Sequence, residues 1–381
     1  MGIYVHVPFC VKKCRYCDFP SLPRQEWSRE FLQEYTSALL TEMQSFFSEN
    51  PDCGKAGTVY LGGGTPSLLG PALVEKILSA LLPRISPGQA PEITLEANPG
   101  TIDKQMMKEF AGLGINRLSL GVQSLNDSSL QMLGRIHDGA AARDAVMQAM
   151  EVFAGVGMDL IYGIPGQSRA QWIEDLTGAA RLNPGHVSAY ELTPEPGTPL
   201  GDEILSGRLS PPPEEEVLEM FFDASKVLGQ GGYHRYEISN LSLHGWQCRH
   251  NTGYWTGLPY VGFGASAASF LGLWRYVNVR DPVEYVRRVK SGEPLVEFAE
   301  RISDRRRMGE FLMMGLRMTA GVSARRFFEL FREDLFGVFG GEIDGLLAKG
   351  HLQKGSDGSI FVPEAFMPLQ SEIAMGFLPP G

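Results

Sequence analysis

Six short apolar runs punctuate the first half of this chain: Ile3 to His6, Thr58 to Leu61, Glu92 to Ala97, Asn116 to Gly121, Met158 to Tyr162 and His186 to Leu192. Helical patterns separate them. Strands joined by helical crossovers pair in parallel, so this alternation predicts an α/β fold, a partial (β/α)6 TIM-like barrel. The clearest helix starts after Ser28, a residue suited to an N-cap, and carries Phe31, Leu32, Tyr35, Leu39, Leu40, Met43 and Phe46 at three- and four-residue spacing. Leu209-Ser210-Pro211-Pro212-Pro213 continues neither a helix nor a central strand and reads as a linker, with another helix and strand after it. In such barrels the reactive groups stand where strands end, because the loops there converge on one mouth.

The loop after the first run holds Cys10, Cys14 and Cys17, a C-x3-C-x2-C spacing that brings three thiolates to one small site. A [4Fe–4S] cubane usually takes four cysteines, so three leave one iron open to a ligand that is not protein. A structural zinc would show a fourth Cys or His at short range, and His6 stands on the strand side of the loop. The chain has five cysteines, an odd number with three clustered, which favours metal ligation in a reducing, cytoplasmic setting over disulfides. No apolar run approaches the ~18 residues of a membrane span, and no signal pattern opens the chain. A net charge of −10 argues against nucleic acid as a partner. The 381 residues suggest two domains, placed at 1–277 and 278–381.

The cysteine spacing, with the preceding Tyr4-x-His6-x-Pro8-Phe9, resembles the cluster loop of radical S-adenosylmethionine (SAM) proteins. More narrowly it resembles the family of oxygen-independent coproporphyrinogen dehydrogenase. That resemblance implies a [4Fe–4S] cluster on Cys10, Cys14 and Cys17 with SAM on the open iron. At the end of the second run, Gly62-Gly63-Gly64-Thr65-Pro66 exposes backbone to a ligand or simply makes a tight turn. It is no P-loop, since no Gly-Lys-Ser/Thr follows. The resemblance makes Gly63, Gly64 and Thr65 SAM contacts, together with Glu96, Gln123, Arg135 and Asp159, and extends more faintly to Tyr4, Tyr16 and Thr193. Taken singly, each polar residue has an equally good structural reading as a loop cap or internal ion pair. Val261-Gly262-Phe263-Gly264 resembles the closing strand-end of the pocket, although its glycines also suit plain packing.

Two features select a branch of that family. The dehydrogenase carries a further cysteine two residues after the triad, where this chain has Phe19. The segment Cys248-Arg249-His250-Asn251-Thr252-Gly253-Tyr254-Trp255 resembles the His-Asn-x-x-Tyr-Trp motif of the heme chaperone branch. A start close to the cluster loop fits the same branch. A histidine can ligate heme iron while Tyr and Trp offer apolar area to the porphyrin, so His250 is the expected axial ligand and Cys248 a weaker second contact. The bland reading makes these residues barrel-end core. The resemblance thus implies heme passed to heme-accepting proteins such as respiratory enzymes. Its rivals are the dehydrogenase itself, a radical SAM methyltransferase or heme-opening enzyme, and a cluster-free interaction protein. Peripheral membrane contact and a homodimer stay open. After Asn278, helices and a hairpin around Asp357-Gly358 suggest a small winged-helix-like domain, with Ser323 capping one helix. Its hairpin offers only Lys354 as a cation, so it is a poor reader of DNA.

Overall fold

The computed structural model of the chain describes residues 1–86 and 90–379. Strands β1 (Gly2–Val7), β2 (Thr58–Gly63), β3 (Glu92–Ala97), β4 (Arg117–Gln123), β5 (Gly155–Tyr162) and β6 (His186–Glu191) lie side by side in chain order, each neighbouring pair parallel. All six expected strands are present. The largest displacement is at β5, which begins at Gly155 instead of Met158. Its first turns of strand carry glycines, which give no strand signal of their own.

Beyond β6 the sheet continues into β7 (His234–Glu237) and β8 (Asn240–Ser242). On the other side β9 (Tyr260–Phe263) runs parallel to β1, followed by antiparallel β10 (Ala268–Leu271), β11 (Trp274–Asn278) and β12 (Val296–Arg301). The order β12-β11-β10-β9-β1-β2-β3-β4-β5-β6-β8-β7 does not close on itself, which makes the barrel partial. The sheet therefore crosses residue 278, and β12 is a strand that the sequence pattern does not announce. Its side chains are almost all exposed, so no hydrophobic alternation marks it.

Alternation along each strand sorts the side chains by face. Ile3, Val5, Val59, Leu61, Ile93, Leu95, Leu118, Leu120, Met158 and Leu160 are buried in the main core beneath the helices. The opposite face carries Tyr4, Tyr60, Glu96, Arg117, Ser119, Asp159, Ser188 and Tyr190. Ordinary (β/α)8 barrels fill the interior with branched aliphatics. Here polar groups and glycines replace them, and the interior holds a cavity of about 770 Å³.

The helix Arg29–Glu49 starts where Ser28 Oγ accepts from Phe31 N at 3.2 Å, as expected of an N-cap. It buries Leu32, Tyr35, Leu39, Met43 and Phe47. Phe46 and Leu40 stay half-buried beside that stripe. In the carboxy-terminal part, the helices Asp304–Gly315, Ala324–Phe331 and Leu335–Ala348 pack through Phe311, Phe327, Phe331 and Phe339. Ser323 Oγ accepts from Arg326 N, and the hairpin β13 (Gln353–Lys354) and β14 (Ile360–Phe361) closes this part. The run Arg305-Arg306-Arg307 opens the helix Asp304–Gly315 and is engaged at all three positions. Arg306 bridges Glu300 at 2.7 Å and Glu310 at 3.0 Å, Arg305 pairs with Glu342 at 3.0 Å, and Arg307 lies over the Phe331 ring.

Candidate cluster and cofactor site

The cysteine loop is held from both ends. Phe9 is fully buried and packs edge-on against Trp27, Phe31 and Tyr35. Trp27 Nε1 donates to Cys10 O at 3.2 Å, and Cys10 N donates to Leu22 O at 2.9 Å. Further along, Arg15 Nη2 pairs with Glu203 at 2.6 Å while its backbone N donates to Leu133 O at 3.1 Å. Cys10, Cys14 and Cys17 are left half-buried, outside any disulfide and lining the cavity.

Burial pushes the Cys10 thiol up, and that of Cys17 up to about 11. Among the described residues no three His, Cys, Asp or Glu side chains converge on a single-ion position. A cubane does not require that convergence, because each thiolate takes a different iron. Three free thiols on one anchored loop, facing a cavity, fit that donor set. Arg135 stands beside them, with Nη1 donating to Cys14 Sγ at 3.2 Å and Nη2 to Gly121 O at 2.5 Å and to Asn98. Its buried Nε finds no partner among the described residues. A guanidinium on a sulfur ligand suits a thiolate better than a thiol.

Opposite the loop, β2 ends in the glycine turn. Gly63 has φ +111, and a Cβ there would stand 2.5 Å from the His6 ring. A Cβ on Gly64 would meet Phe9 O at 2.7 Å. Gly63 is thus required by the His6 ring and its positive φ, and Gly64 by the backbone of Phe9, whatever else they contact. Gly63 N donates to Glu96 Oε2 at 3.1 Å, and Tyr60 donates to Glu96 Oε1 at 2.6 Å. Burial raises the Glu96 carboxyl to about 7, against the lowering effect of those donors. Burial also raises Asp159, which accepts from Ser188 Oγ at 2.7 Å and Ser119 Oγ at 3.1 Å. Gln123 ends β4 with φ +69, a left-handed conformation unusual for a residue with a side chain, at a bulge in the β4–β5 register.

The cavity wall brings together Cys10, Cys14, Cys17, Tyr16, Gly63, Gly64, Thr65, Glu96, Gln123, Arg135, Asp159 and Thr193. Tyr4 lies behind that wall, bonded to His6 Nδ1 at 2.9 Å and stacked on Tyr60. The wall also includes Asn98, Arg117, Ser119, Ser188 and Tyr190, which the sequence reading does not single out. Their signal is polarity at every second residue of strands whose alternate positions are aliphatic. The Gly262 and Gly264 turn serves packing: a Cβ on Gly264 would meet Tyr35 Oη at 2.6 Å.

His250 is elsewhere. It lies in a short helix, Arg249–Trp255, at the amino-terminal ends of β1 to β3, with 3% exposure. Its Nδ1 is 2.8 Å from Thr58 Oγ1, its Nε2 is 2.8 Å from Tyr254 Oη, and its ring stacks on Tyr60. Burial lowers its pKa to about 3. Tyr254 packs on Tyr260, and Trp255 lies under the Arg317 guanidinium. This motif closes the base of the barrel, with both histidine nitrogens engaged. Cys248 is buried 3.7 Å from Glu92 Oε1, borders the deep end of the cavity and has its thiol pushed up to about 12 by burial.

Residues 4–177 match the radical SAM superfamily, and residues 302–361 match the HemN C-terminal domain. The chain is 38% identical over 332 residues to heme chaperone HemW of Synechocystis, covering 84% of this chain and 78% of that protein. With heme chaperone HemW of Bacillus subtilis it shares 33% identity over 380 residues, covering 98% of each. Its fold is similar to that of coproporphyrinogen III oxidase (HemN) of Escherichia coli, with TM-score 0.84 at 22% identity over 99% of this chain and 89% of that one. The chain belongs to the heme chaperone HemW family, on the radical SAM fold.

Proposed function

We propose that this protein is a heme chaperone that carries a [4Fe–4S] cluster and SAM and delivers heme to heme-dependent proteins. Family membership over nearly the whole chain supports the reading. The observation that carries the site is three free thiols on one anchored loop, facing a cavity whose wall also holds Glu96 and Asp159. In this reading Cys10, Cys14 and Cys17 hold the cluster. Gly63, Gly64, Thr65, Glu96, Gln123, Arg135 and Asp159 surround SAM, with Tyr16 at the edge and Tyr4 behind Tyr60.

The cluster, when bound, supplies an open iron that can take an exogenous chelator and an electron source beside it. The chain's own residues position that chelator. Glu96 offers a carboxylate to an ammonium group, Asp159 stays fixed between two serine hydroxyls, and Arg135 holds Cys14 and the strand-end carbonyl of Gly121 together. Among the described residues no helix is long and apolar enough to cross a membrane.

We further propose that the acceptors are respiratory enzymes, that the protein is cytoplasmic, and that it has two parts at 1–277 and 278–381. Continuation of the sheet to Arg301 favours keeping residues 278–301 with the barrel when that part is expressed. His250 reaches heme iron only if its helix leaves the barrel base and Tyr254 releases Nε2.

The test is anaerobic reconstitution, followed by iron and sulfide analysis, heme titration, and transfer to an apo heme protein. Stoichiometric heme binding with transfer supports the chaperone. Conversion of coproporphyrinogen by the same preparation would replace it with the dehydrogenase reading, against which Phe19 stands in place of the further cysteine.

A further inference from the structure

We infer that heme lies flat across the cysteine-loop rim of the cavity, its macrocycle on Phe19 and Ile136 and its propionates toward Lys12 and Lys13, an inference that rests on the heme-chaperone reading. Phe19 is 61% exposed, Ile136 45%, Tyr190 39% and Val11 37%, and all four border the same cavity. Large apolar side chains left open to water are unremarkable singly, but four around one opening form a patch of the kind that receives a ligand. Phe19 is also the position where the dehydrogenase branch has its further cysteine. A sulfur site there is replaced by a flat apolar face.

Charge selects the occupant. The lysine ion pairs among the described residues involve Lys104 and Lys290, which leaves Lys12 and Lys13 exposed on the rim with no carboxylate partner. Arg280 and Asp18, 3.3 Å apart on the same rim, offset each other, and Glu191 and Glu195 stand elsewhere on the cavity wall. The adjacent Lys12 and Lys13 are thus the rim cations that no ion pair among the described residues engages, and they stand beside the apolar shelf. A flat apolar disc with two carboxylates on one edge matches that combination.

The two other locations fit less well. The barrel interior is lined by Tyr60, Glu96, Arg117, Asp159 and Ser188, groups that an apolar macrocycle would strip of water without compensation. Its volume of about 770 Å³ is that of a pocket for one small ligand, and the cluster and SAM would occupy it. His250, at the barrel base, has both nitrogens bonded and 3% exposure. The rim is open without any movement of the fold.

The experiment titrates the anaerobically reconstituted full chain with heme and, separately, with metal-free protoporphyrin IX. It compares wild type, Phe19→Asp, Ile136→Asp, Lys12→Ser with Lys13→Ser, and His250→Ala, with iron and sulfide content checked for each. The rim predicts that wild type binds protoporphyrin within about tenfold of heme, because the macrocycle face and not the iron carries the contact. Either aspartate variant should lose about tenfold or more toward both porphyrins, and the double serine variant should weaken binding most at low salt. Having two separate aspartate variants guards against one failing to hold its cluster. Wild-type affinity in both rim variants would overturn the inference, as would binding that requires iron and vanishes in His250→Ala. If wild type binds neither porphyrin, the heme reading itself falls and takes the rim site with it.

Discussion

A carboxyl crowded inside the barrel, as Glu96 is, keeps its proton until about pH 7 because desolvation penalises its charged form. An ammonium group needs that carboxylate ionised, so SAM affinity should rise about tenfold from pH 6 to pH 8 and level off above. Equilibrium dialysis checks this, and Glu96→Gln should flatten the profile and weaken binding at pH 8. Cys14→Ala should lose the cluster outright, read as iron and inorganic sulfide per chain, because two thiolates cannot hold what three barely suffice for. The same substitution removes the sulfur acceptor of Arg135 Nη1, leaving Gly121 O and Asn98 as acceptors of Nη2.

Two elements are fastened to the barrel by carboxylates that accept several hydrogen bonds each. Glu92 accepts from Arg249 N at 3.0 Å and His250 N at 2.9 Å, which places a negative group at the start of the helix that closes the barrel base. His250→Ala removes the bond to Thr58, the bond to Tyr254 and the stack on Tyr60. It should cost about 2–4 kcal/mol in urea unfolding while leaving the cluster in place. Glu42, on the helix Arg29–Glu49, accepts from Gly264 N at 2.8 Å, Asn278 Nδ2 at 2.6 Å and Tyr285 Oη at 2.6 Å. Burial raises it from 4.5 to about 7. The folded state therefore holds this proton more tightly than the unfolded chain does. Its contribution is complete below about pH 4.5 and is lost as pH rises through about 7. The stability of wild type relative to Glu42→Gln should accordingly fall between pH 5 and pH 8 by about 2–3 kcal/mol, and a pH-independent difference would contradict the assignment.

Across the whole molecule, the carboxy-terminal helices meet the barrel through Arg317. Its Nη2 stands 3.2 Å from Glu237 Oε2, whose side chain is 0% exposed, and its guanidinium covers Trp255. Arg317→Ala strands that carboxylate in the interior. Thermal or urea unfolding should show a loss of about 3–5 kcal/mol, more than any exposed arginine substitution such as Arg325→Ala. The polar barrel interior belongs to this scale as well. The core lies outside the sheet, under the helices, and so the inside is free to be a cavity.

Much of the site is legible in the chain because its information is local. Cys10, Cys14 and Cys17 share one loop, so their spacing alone brings them together. Six strands show themselves by aliphatic alternation, and Glu96 and Asp159 show themselves as polar residues on those strands. The glycine turn is equally local, although its steric cause, the His6 ring behind Gly63, belongs to a neighbouring strand. What only the tertiary structure decided is which end of the barrel each segment meets. The i, i+4 spacing of His250 and Tyr254 gives one helical face but not its partner, and the fold seats His250 at the base, against Thr58 and Tyr60. Tyr60, Asn98 and Arg117 enter the cavity wall for the same reason. Periodicity fixes the face a side chain takes along its own element; long-range register, set by many weak contacts at once, fixes what that face confronts.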